Sequence, residues 1–252
     1  MGEPRLLKPH VTNLPGGLQV RRLLPAAACR SVGPFIFFDH FGPVELPAEL
    51  DSDIGPHPHI GLATVTYLFE GELLHRDSLG TEQAIAPGAI NWMSAGSGIV
   101  HSERTPGSLR GQARRLHGLQ LWAALPPDDE TSSPSFQHAP ADSLPQLQAA
   151  PGVHLRLLVG QAFGLASPVR TRSETLYLDL RLDPGTRWAL PPLAPELALY
   201  PVTEGLQLDG QPLPAQQMAV LPAGQGAVLE AATRGARLAV IGGAPLQQPV
   251  RL

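Results

Sequence analysis

Several residue types and patterns are scarce in this chain, and each scarcity excludes a class of protein. Cysteine occurs once, as Cys29, so an intramolecular disulfide is impossible and we expect a protein of a reducing, cytoplasmic compartment. Lysine also occurs once, and the formal net charge of −4 leaves no excess of positive charge for direct nucleic-acid binding. No apolar run is long enough for a membrane span, and the N-terminal segment carries charges and prolines where a signal peptide requires an apolar stretch.

What the chain does contain is 28 prolines and 26 glycines, scattered rather than periodic. Between them stand short apolar or alternating runs, a pattern typical of many short strands joined by turns. Asp209-Gly210, which follows the alternating segment 206–208, predicts a tight hairpin because both residues tolerate a positive φ. Strands are predicted at 18–24, 63–69, 73–77, 89–93, 116–123, 153–159, 176–182, 197–202, 218–221, 228–230 and 237–241.

The chain divides into two halves that resemble each other. TVTYLFEG aligns without gaps with ALYPVTEG, and WMSAGSGIVHSE aligns without gaps with VLPAGQGAVLEA, which indicates one β-unit used twice. We expect one domain over 1–125 and a second over 151–252. The segment 126–150, rich in Pro, Ser, Asp and Gln, predicts an exposed linker with a short helix near 141–148.

Two short motifs carry the chemistry. His57 with His59, and His101 with Glu103, each place two metal-ligand residues two positions apart. Residues i and i+2 of a strand point to the same face, so two neighbouring strands can bring all four side chains together. Three imidazoles and one carboxylate suit Fe(II), Mn, Ni, Cu or Zn and leave coordination positions open on an octahedral ion. The motifs therefore predict a metal site for chemistry or sensing.

A plainer interpretation stays open for the first motif, because a histidine in a Gly-Pro turn is usually a polar surface residue. The second motif extends the apolar run 97–100, and a His and a Glu buried there would be costly without a partner, which a metal supplies. Through the internal alignment, the four residues fall opposite apolar ones in the second half. One metal per chain is therefore expected, since the counterparts are Pro191, Leu193, Leu229 and Ala231.

The residues around these motifs closely resemble the pirin family, a branch of the cupin superfamily. The matching blocks are PFIFFDHFGP (34–43), PHPHIGLATVTYLFEGELLHRDSLG (56–80) and APGAINWMSAGSGIVHSE (86–103). The resemblance implies an all-β bicupin of two antiparallel, jelly-roll-like barrels with few short helices. It places one metal, usually iron, in the N-terminal barrel, held by His57, His59, His101 and Glu103. One departure is Ala63, where many cupins carry a further glutamate.

The resemblance also implies two functions. One is a quercetin 2,3-dioxygenase activity that cleaves a flavonol-like aromatic substrate with O₂. For that reaction we expect Glu103, as a ligand carboxylate, to accept the proton of the substrate hydroxyl and so to serve as the catalytic base as well. The alternative is a metal- or redox-dependent regulatory protein that binds a transcription factor or a metabolic enzyme. For the segment His75-Arg76-Asp77 we expect structural salt bridges of Arg76 and Asp77 with neighbouring residues first. As the alternative, His75 lines the pocket or forms a hydrogen bond to a ligand imidazole. Trp92, Met93 and the phenylalanines of 35–41 are candidates for an apolar pocket wall.

Overall fold

The structure is a computed structural model that describes residues 2–14, 18–50 and 52–248. It consists mainly of short strands, with single-turn 3-10 helices at Gly107–Leu109 and Pro127–Asp129. Among the described residues, no helix is both long and apolar enough to cross a membrane. The strands are β1 (Arg5–Leu7), β2 (His10–Asn13), β3 (Gln19–Leu24), β4 (Phe35–Leu46), β5 (Ile54–His59), β6 (Leu62–Glu70), β7 (Leu73–Asp77), β8 (Glu82–Ile85), β9 (Ile90–Ser94), β10 (Ile99–Arg104), β11 (Arg114–Ala124), β12 (Ser135–Ala139), β13 (Gln146–Ala150), β14 (Val153–Val159), β15 (Gln161–Ala162), β16 (Leu165–Ala166), β17 (Thr175–Leu182), β18 (Arg187–Leu190), β19 (Glu196–Pro201), β20 (Leu206–Leu208), β21 (Gln211–Leu213), β22 (Met218–Val220), β23 (Ala227–Ala231) and β24 (Ala236–Gly243).

The N-terminal unit consists of the described parts of 10–22 and 36–143. Its larger sheet has the strand order β12-β9-β6-β11-β4-β3-β2, and its smaller sheet has the order β5-β10-β7-β8. Buried apolar side chains, among them Phe41, Leu68 and Leu116, form a core cluster in this unit. Phe41 and Leu116 also line a pocket, so this core has an apolar cavity at its border.

The C-terminal unit consists of the described parts of 1–9, 23–35 and 144–252. Its larger sheet has the order β1-β22-β19-β24-β17-β14-β13, and its smaller sheet has the order β18-β23-β20-β21. Position by position, these two orders match those of the N-terminal unit, with β1 in the place of β12 and β18 in the place of β5. The matching topology confirms that one β-unit is used twice. The interior is a leucine-rich cluster in which Leu157, Leu199 and Leu229 are fully buried.

Most of the secondary structure predicted from the sequence is confirmed. The fold is all-β, and every predicted strand overlaps an observed one. The predicted hairpin is also present: β20 pairs with β21, and Asp209 and Gly210 have φ values of 50° and 78°. The alternation of apolar and polar residues was therefore a sufficient signal for half-buried antiparallel strands.

The unit boundaries differ from the expected domain limits at 1–125, 126–150 and 151–252. The expected linker contains β12, which pairs with β9, and β13, which pairs with β14. The helix expected near 141–148 is wrong, because Leu147 on β13 packs against the leucine-rich core and keeps this segment extended. The first residues join the C-terminal unit, because β1 pairs with β22. Pairing partners distant in sequence place β12 and β1, whereas β13 pairs with the strand that directly follows it.

A buried histidine pair lies on β4 and β11 of the N-terminal unit. The Nε2 atoms of His40 and His117 are 2.8 Å apart, so one ring donates a hydrogen bond to the other. Both side chains are buried. Burial, followed by the proximity of His117 and Arg21, lowers the pKa of His40 from 6.5 to about 3. His40 is therefore neutral in the folded protein at physiological pH.

The His40 pair makes the stability of the protein sensitive to acid. The unfolded chain protonates this residue below about pH 6.5, whereas the folded protein does so only near its pKa of about 3, so stability is lost as the pH falls between these values. In His40→Gln, we expect the slope of unfolding free energy against pH to decrease by ~1.4 kcal/mol per pH unit, which corresponds to one proton. Urea unfolding across this range measures the slope. His10→Gln, at an exposed position, is the control, and equal slopes for wild type and His40→Gln would contradict this assignment.

Candidate metal centre

The three predicted histidine ligands come together through the register of two neighbouring strands. β5 and β10 pair antiparallel, with His57 opposite His101 and His59 opposite Ile99. The register then shifts between His101 and Glu103. One ligand atom from each of the three imidazoles lies within 4.8 Å of the others. The prediction that the two motifs meet on adjacent strands is confirmed for the histidines.

Each histidine has a defined environment. His59 and His101 are buried, and His57 is half-buried. The Nδ1 atom of His57 is 2.9 Å from the carbonyl oxygen of Gly55, which accepts its hydrogen bond. This bond fixes the tautomer of His57 and leaves its Nε2 lone pair available. The centroids of the His57 and His101 rings are only 4.4 Å apart.

A chain of hydrogen bonds orients His101. Its Nδ1 lies 3.4 Å from Nδ1 of His75, and Nε2 of His75 lies 2.8 Å from Oδ2 of Asp77. Asp77 is an acceptor at Oδ1 as well, for the backbone N–H groups of Leu79 and Thr81. Burial alone would raise the pKa of Asp77, but these bonds, led by the one from His75, lower it, so the carboxylate is ionised.

The ionised carboxylate of Asp77 determines which ring nitrogens of His75 and His101 carry a proton. Asp77 only accepts, so His75 carries its proton on Nε2 and presents the lone pair of Nδ1 to His101. His101 then carries its proton on Nδ1, which leaves Nε2 unprotonated. That Nε2 is buried and has no hydrogen-bond partner. Phe136 stacks on His75 at 4.4 Å between ring centroids and holds its ring in place. The arrangement presents one buried lone pair for a ligand.

Lowered pKa values favour the neutral imidazole at His59 and His101. Burial, followed by the neighbouring histidines, lowers the pKa of His101 to about 2. Burial and then His57 lower the pKa of His59 to about 4. A neutral imidazole keeps its lone pair, which is the form that binds a metal ion.

Glu103 lies in the same pocket but is not part of the close group of histidine ligand atoms. Its Oε1 is 3.2 Å from Oγ1 of Thr66, which is also 2.8 Å from Oε1 of Gln120. The Thr66 hydroxyl has one hydrogen and donates to one of these oxygens at a time. Burial raises the pKa of Glu103 and outweighs the opposing effects of His57 and Thr66. The carboxylate is therefore a stronger base than an exposed one.

The pocket that contains these residues has a volume of about 280 Å³ and largely apolar walls. The ring of Phe37 stacks on Trp122 at 4.1 Å with an interplanar angle of 13°, and Trp122 meets His59 edge-on at 5.1 Å. The guanidinium of Arg22 lies 4.3 Å from the Phe37 ring centroid and forms a two-point ion pair with Asp39. The aromatic and apolar lining suits an apolar ligand.

Sequence reasoning found some of the pocket residues and missed others. The phenylalanine segment does contribute Phe37 and Phe41, whereas Trp92 and Met93 are buried elsewhere in the unit and do not line the pocket. The hydrogen bond from His75 towards a ligand histidine, expected only as the alternative, is present together with the His75–Asp77 pair. The pocket residues Arg22, Ser52, Gln120 and Trp122 were not predicted from the sequence. Their positions depend on strand pairing, for which the local sequence contains no signal.

Comparison with known proteins assigns both halves of the chain. The Pirin family description matches residues 17–123, and the Pirin C-terminal cupin domain matches residues 177–252. A pirin-like protein from Caulobacter vibrioides is 45% identical over 235 residues, which cover 92% of this chain and 80% of that protein. Pirin from Homo sapiens is 31% identical over 241 residues, covering 93% and 79% respectively.

A solved structure agrees over nearly the full length. The crystal structure of quercetin 2,3-dioxygenase from Acinetobacter baumannii aligns with a TM-score of 0.90 at 34% identity and covers 99% of this chain and 82% of that chain. The two matched units and this likeness confirm the bicupin architecture expected from the sequence. With antiparallel cupin units and close relatives along its whole length, the chain belongs to the pirin family.

Proposed function

We propose that this pirin family member is a metal-dependent dioxygenase of the quercetin 2,3-dioxygenase type. Its metal ligands would be His57, His59, His101 and Glu103. The observation that carries the proposal is the buried, unpartnered Nε2 of His101, held as a lone-pair donor close to the imidazoles of His57 and His59. An unsatisfied buried nitrogen is costly, and a metal ion relieves that cost. The likeness to the Acinetobacter baumannii enzyme supports the choice of reaction.

The donor set narrows the choice of metal. Three imidazole nitrogens and one carboxylate oxygen suit Fe(II), Mn, Ni, Cu and Zn, whereas Ca and Mg prefer oxygen ligands throughout. We propose one Fe(II) per chain, since open coordination positions on an octahedral ion leave room for substrate and O₂. The positions equivalent to the ligands in the C-terminal unit carry apolar side chains, so no second ion is expected there.

The pocket fits a flavonol-like substrate. A volume of about 280 Å³ is near the lower limit for sites that bind small organic molecules, ~300 Å³. Phe37 and Trp122 line the pocket and give it an aromatic wall, against which an aromatic substrate can pack. The bound metal would supply a coordination site for the deprotonated substrate and activate it towards O₂. The apolar walls exclude water and so limit side reactions of the activated substrate.

Glu103 is the residue that would take the proton of the substrate hydroxyl. Its raised pKa brings it closer to the pKa of the group that it must deprotonate. Thr66 contacts Oε1, which leaves Oε2 as the oxygen that receives the proton. A carboxylate that both binds the metal and accepts a proton must shift between these roles, and the single weak contact to Thr66 permits that movement.

Metal content is the first test. Purified without an affinity tag and loaded anaerobically with Fe(II), the wild-type protein should bind about one metal ion per chain. His101→Ala removes the unpartnered Nε2, and we expect the metal content to fall below a tenth of the wild-type value. His154→Ala, which removes an exposed histidine of the C-terminal unit, should leave the content unchanged. A fully metallated His101→Ala protein, measured by elemental analysis, would refute the ligand assignment.

The hydrogen-bond chain predicts an effect of Asp77→Asn. Asparagine keeps an oxygen for the N–H groups of Leu79 and Thr81 but presents an N–H to His75. This reverses both tautomers and places a proton on Nε2 of His101, so we expect metal affinity to fall by about 10- to 100-fold. Competition with a chelator measures the affinity. Arg76→Ala, an exposed change on the same strand, is the control, and an unaltered affinity in Asp77→Asn would show that the chain does not set the tautomer of His101.

Glu103→Gln separates the dioxygenase from a binding protein. Glutamine retains an acceptor for Thr66 but cannot take the proton, so oxygen uptake with quercetin should fall by roughly 10²- to 10⁴-fold. The three histidines should still retain metal. Exposed Glu82→Gln is the matched control. Turnover within threefold of wild type would exclude Glu103 as the base. Metal-loaded wild-type protein that consumes no oxygen with quercetin would favour the regulatory alternative instead.

A further inference from the structure

Gln120 is a polar residue in the part of the pocket wall that β11 contributes. Alternate residues of a strand point to one face, and Leu116, Gln120 and Trp122 of β11 all line the pocket. Leu116 and Trp122 present mainly apolar surface, whereas Gln120 places a half-buried carboxamide between them. An amide in an otherwise apolar stretch of wall costs more to desolvate than an apolar side chain, so its place there needs a cause.

One half of the Gln120 amide is bound within the protein. The pairing of β6 with β11 places Gln120 directly opposite Thr66. The hydroxyl of Thr66 lies 2.8 Å from Oε1 of Gln120 and 3.2 Å from Oε1 of Glu103. Because the amide oxygen is turned towards Thr66, the amide nitrogen is turned away from it. A single hydroxyl group therefore separates the amide from the carboxylate that would take the substrate proton.

The other half of the amide, Nε2, is an accessible donor. Within the part of the chain that the structure describes, this atom has no hydrogen-bond partner, and unlike Nε2 of His101 it is not closed off from solvent. Other polar groups of the pocket already have partners, since Asp39 pairs with Arg22 and Nδ1 of His101 pairs with His75. A ligand that fills the pocket removes water from the amide N–H and must supply an acceptor in return.

We infer that Gln120 is a specificity-determining residue, whose amide N–H donates a hydrogen bond to a carbonyl oxygen next to the ionisable hydroxyl of the substrate. An N–H group only donates, so it selects an oxygen that accepts. Glu103 takes the proton of the hydroxyl in the proposed reaction, and the amide lies one hydroxyl group away from Glu103, so it meets the neighbouring oxygen. The inference rests on the proposed function for the ionisable hydroxyl. It adds the substrate class, which is aromatic molecules with a hydroxyl and a carbonyl on adjacent ring atoms.

The experiment measures the affinity of three ligands by anaerobic titration calorimetry, with Fe(II)-loaded and with metal-free protein. 3-Hydroxyflavone carries both the hydroxyl and the carbonyl, flavone carries the carbonyl alone, and flavan carries neither. Gln120→Met replaces the amide by an apolar side chain of similar length. It should weaken binding of 3-hydroxyflavone and of flavone by roughly 3- to 10-fold, the contribution of one hydrogen bond. Binding of flavan should stay the same or become tighter, because flavan offers no acceptor to the amide.

A purely structural role of Gln120 would not produce this difference between ligands. Gln120→Met also loses the contact with Thr66, so a lower unfolding temperature is expected for either role. Gln120→Asn keeps an amide but withdraws it by one carbon–carbon bond. It should lose the preference for flavone over flavan as well, and it provides the comparison if the Met variant does not fold.

Gln83→Met is the matched control. Gln83 is a half-buried glutamine on β8 whose Nε2 donates to the carbonyl oxygen of Ala84 at 2.8 Å, and it does not line the pocket. All three affinities should be unchanged in this variant.

The outcomes separate this inference from the dioxygenase proposal. An equal loss for all three ligands would show that Gln120 only supports Thr66, and a loss confined to 3-hydroxyflavone would show that the amide binds the hydroxyl. Either result, or unchanged affinities in Gln120→Met, overturns the inference even if oxygen uptake is normal. A preference for the carbonyl that depends on Gln120, without oxygen uptake, supports the inference while the dioxygenase proposal fails. If the wild-type protein binds none of the three ligands in either form, the assignment of the amide to a carbonyl ligand is wrong.

Discussion

The pairing of β5 with β10 places His57 opposite His101, and a shift of this register by one residue would turn a pair of imidazoles to the opposite face of the sheet. The register is supported where the strands meet the adjoining turns, because the N–H of Gly61 donates a 2.9 Å hydrogen bond to the carbonyl oxygen of Gly96. Gly96 has a φ of 51°, and a Cβ at this position would overlap the carbonyl oxygen of Ser132. The geometry of the histidine cluster thus depends on backbone features outside it.

β10 is also the strand that joins the cluster to its supporting groups. On its other side it pairs with β7, which places Asp77 opposite His101 and His75 opposite Glu103. A single three-strand ladder therefore contains the histidines, the carboxylate and the chain that sets the tautomer of His101. The larger sheet contributes Thr66, Gln120 and the aromatic wall.

The C-terminal unit has the same strand pairing as the N-terminal unit but carries apolar residues at the positions that correspond to the histidine ligands. In the C-terminal unit Leu229 lies opposite Trp188 and Ala227 lies opposite Leu190, as His101 lies opposite His57 and Ile99 opposite His59. The strand pairing thus makes Trp188 and Leu190 the counterparts of the first motif, which corrects the sequence alignment to Pro191 and Leu193. The connection after β18 is three residues longer than the one after β5 (five residues, 191–195, against two, 60–61), so an ungapped alignment misplaces them.

The sequence predicted more of the framework than of the pocket. Strand alternation is a local signal, and the strands that it predicted are present. The H-x-H and H-x-E spacings are also local signals, and the three histidines do come together, whereas Glu103 lies in the same pocket outside their close group. Arg22, Ser52 and Gln120 are distant from one another along the chain and become neighbours of one cavity only through β-sheet pairing. Asp39 lies within β4 and pairs with Arg22, because the aromatic run 35–38 continues as a twelve-residue strand. Long-range pairing is the physical information that local patterns do not contain.

The place of β1 in the C-terminal unit has a consequence for synthesis on the ribosome. In the N-terminal unit the equivalent edge position is occupied by β12, which follows its neighbours in the chain, so this unit can complete its sheet while translation continues. β1 is translated before the other described strands of its sheet, yet its pairing partner, Met218–Val220, emerges only after β2 to β21. Until then its backbone N–H and C=O groups and the side chain of Leu7, which is buried in the fold, lack their final partners. The nascent chain therefore carries an unpaired strand until β22 has been made, and this interval is the one in which a chaperone or a misdirected edge-to-edge contact can act.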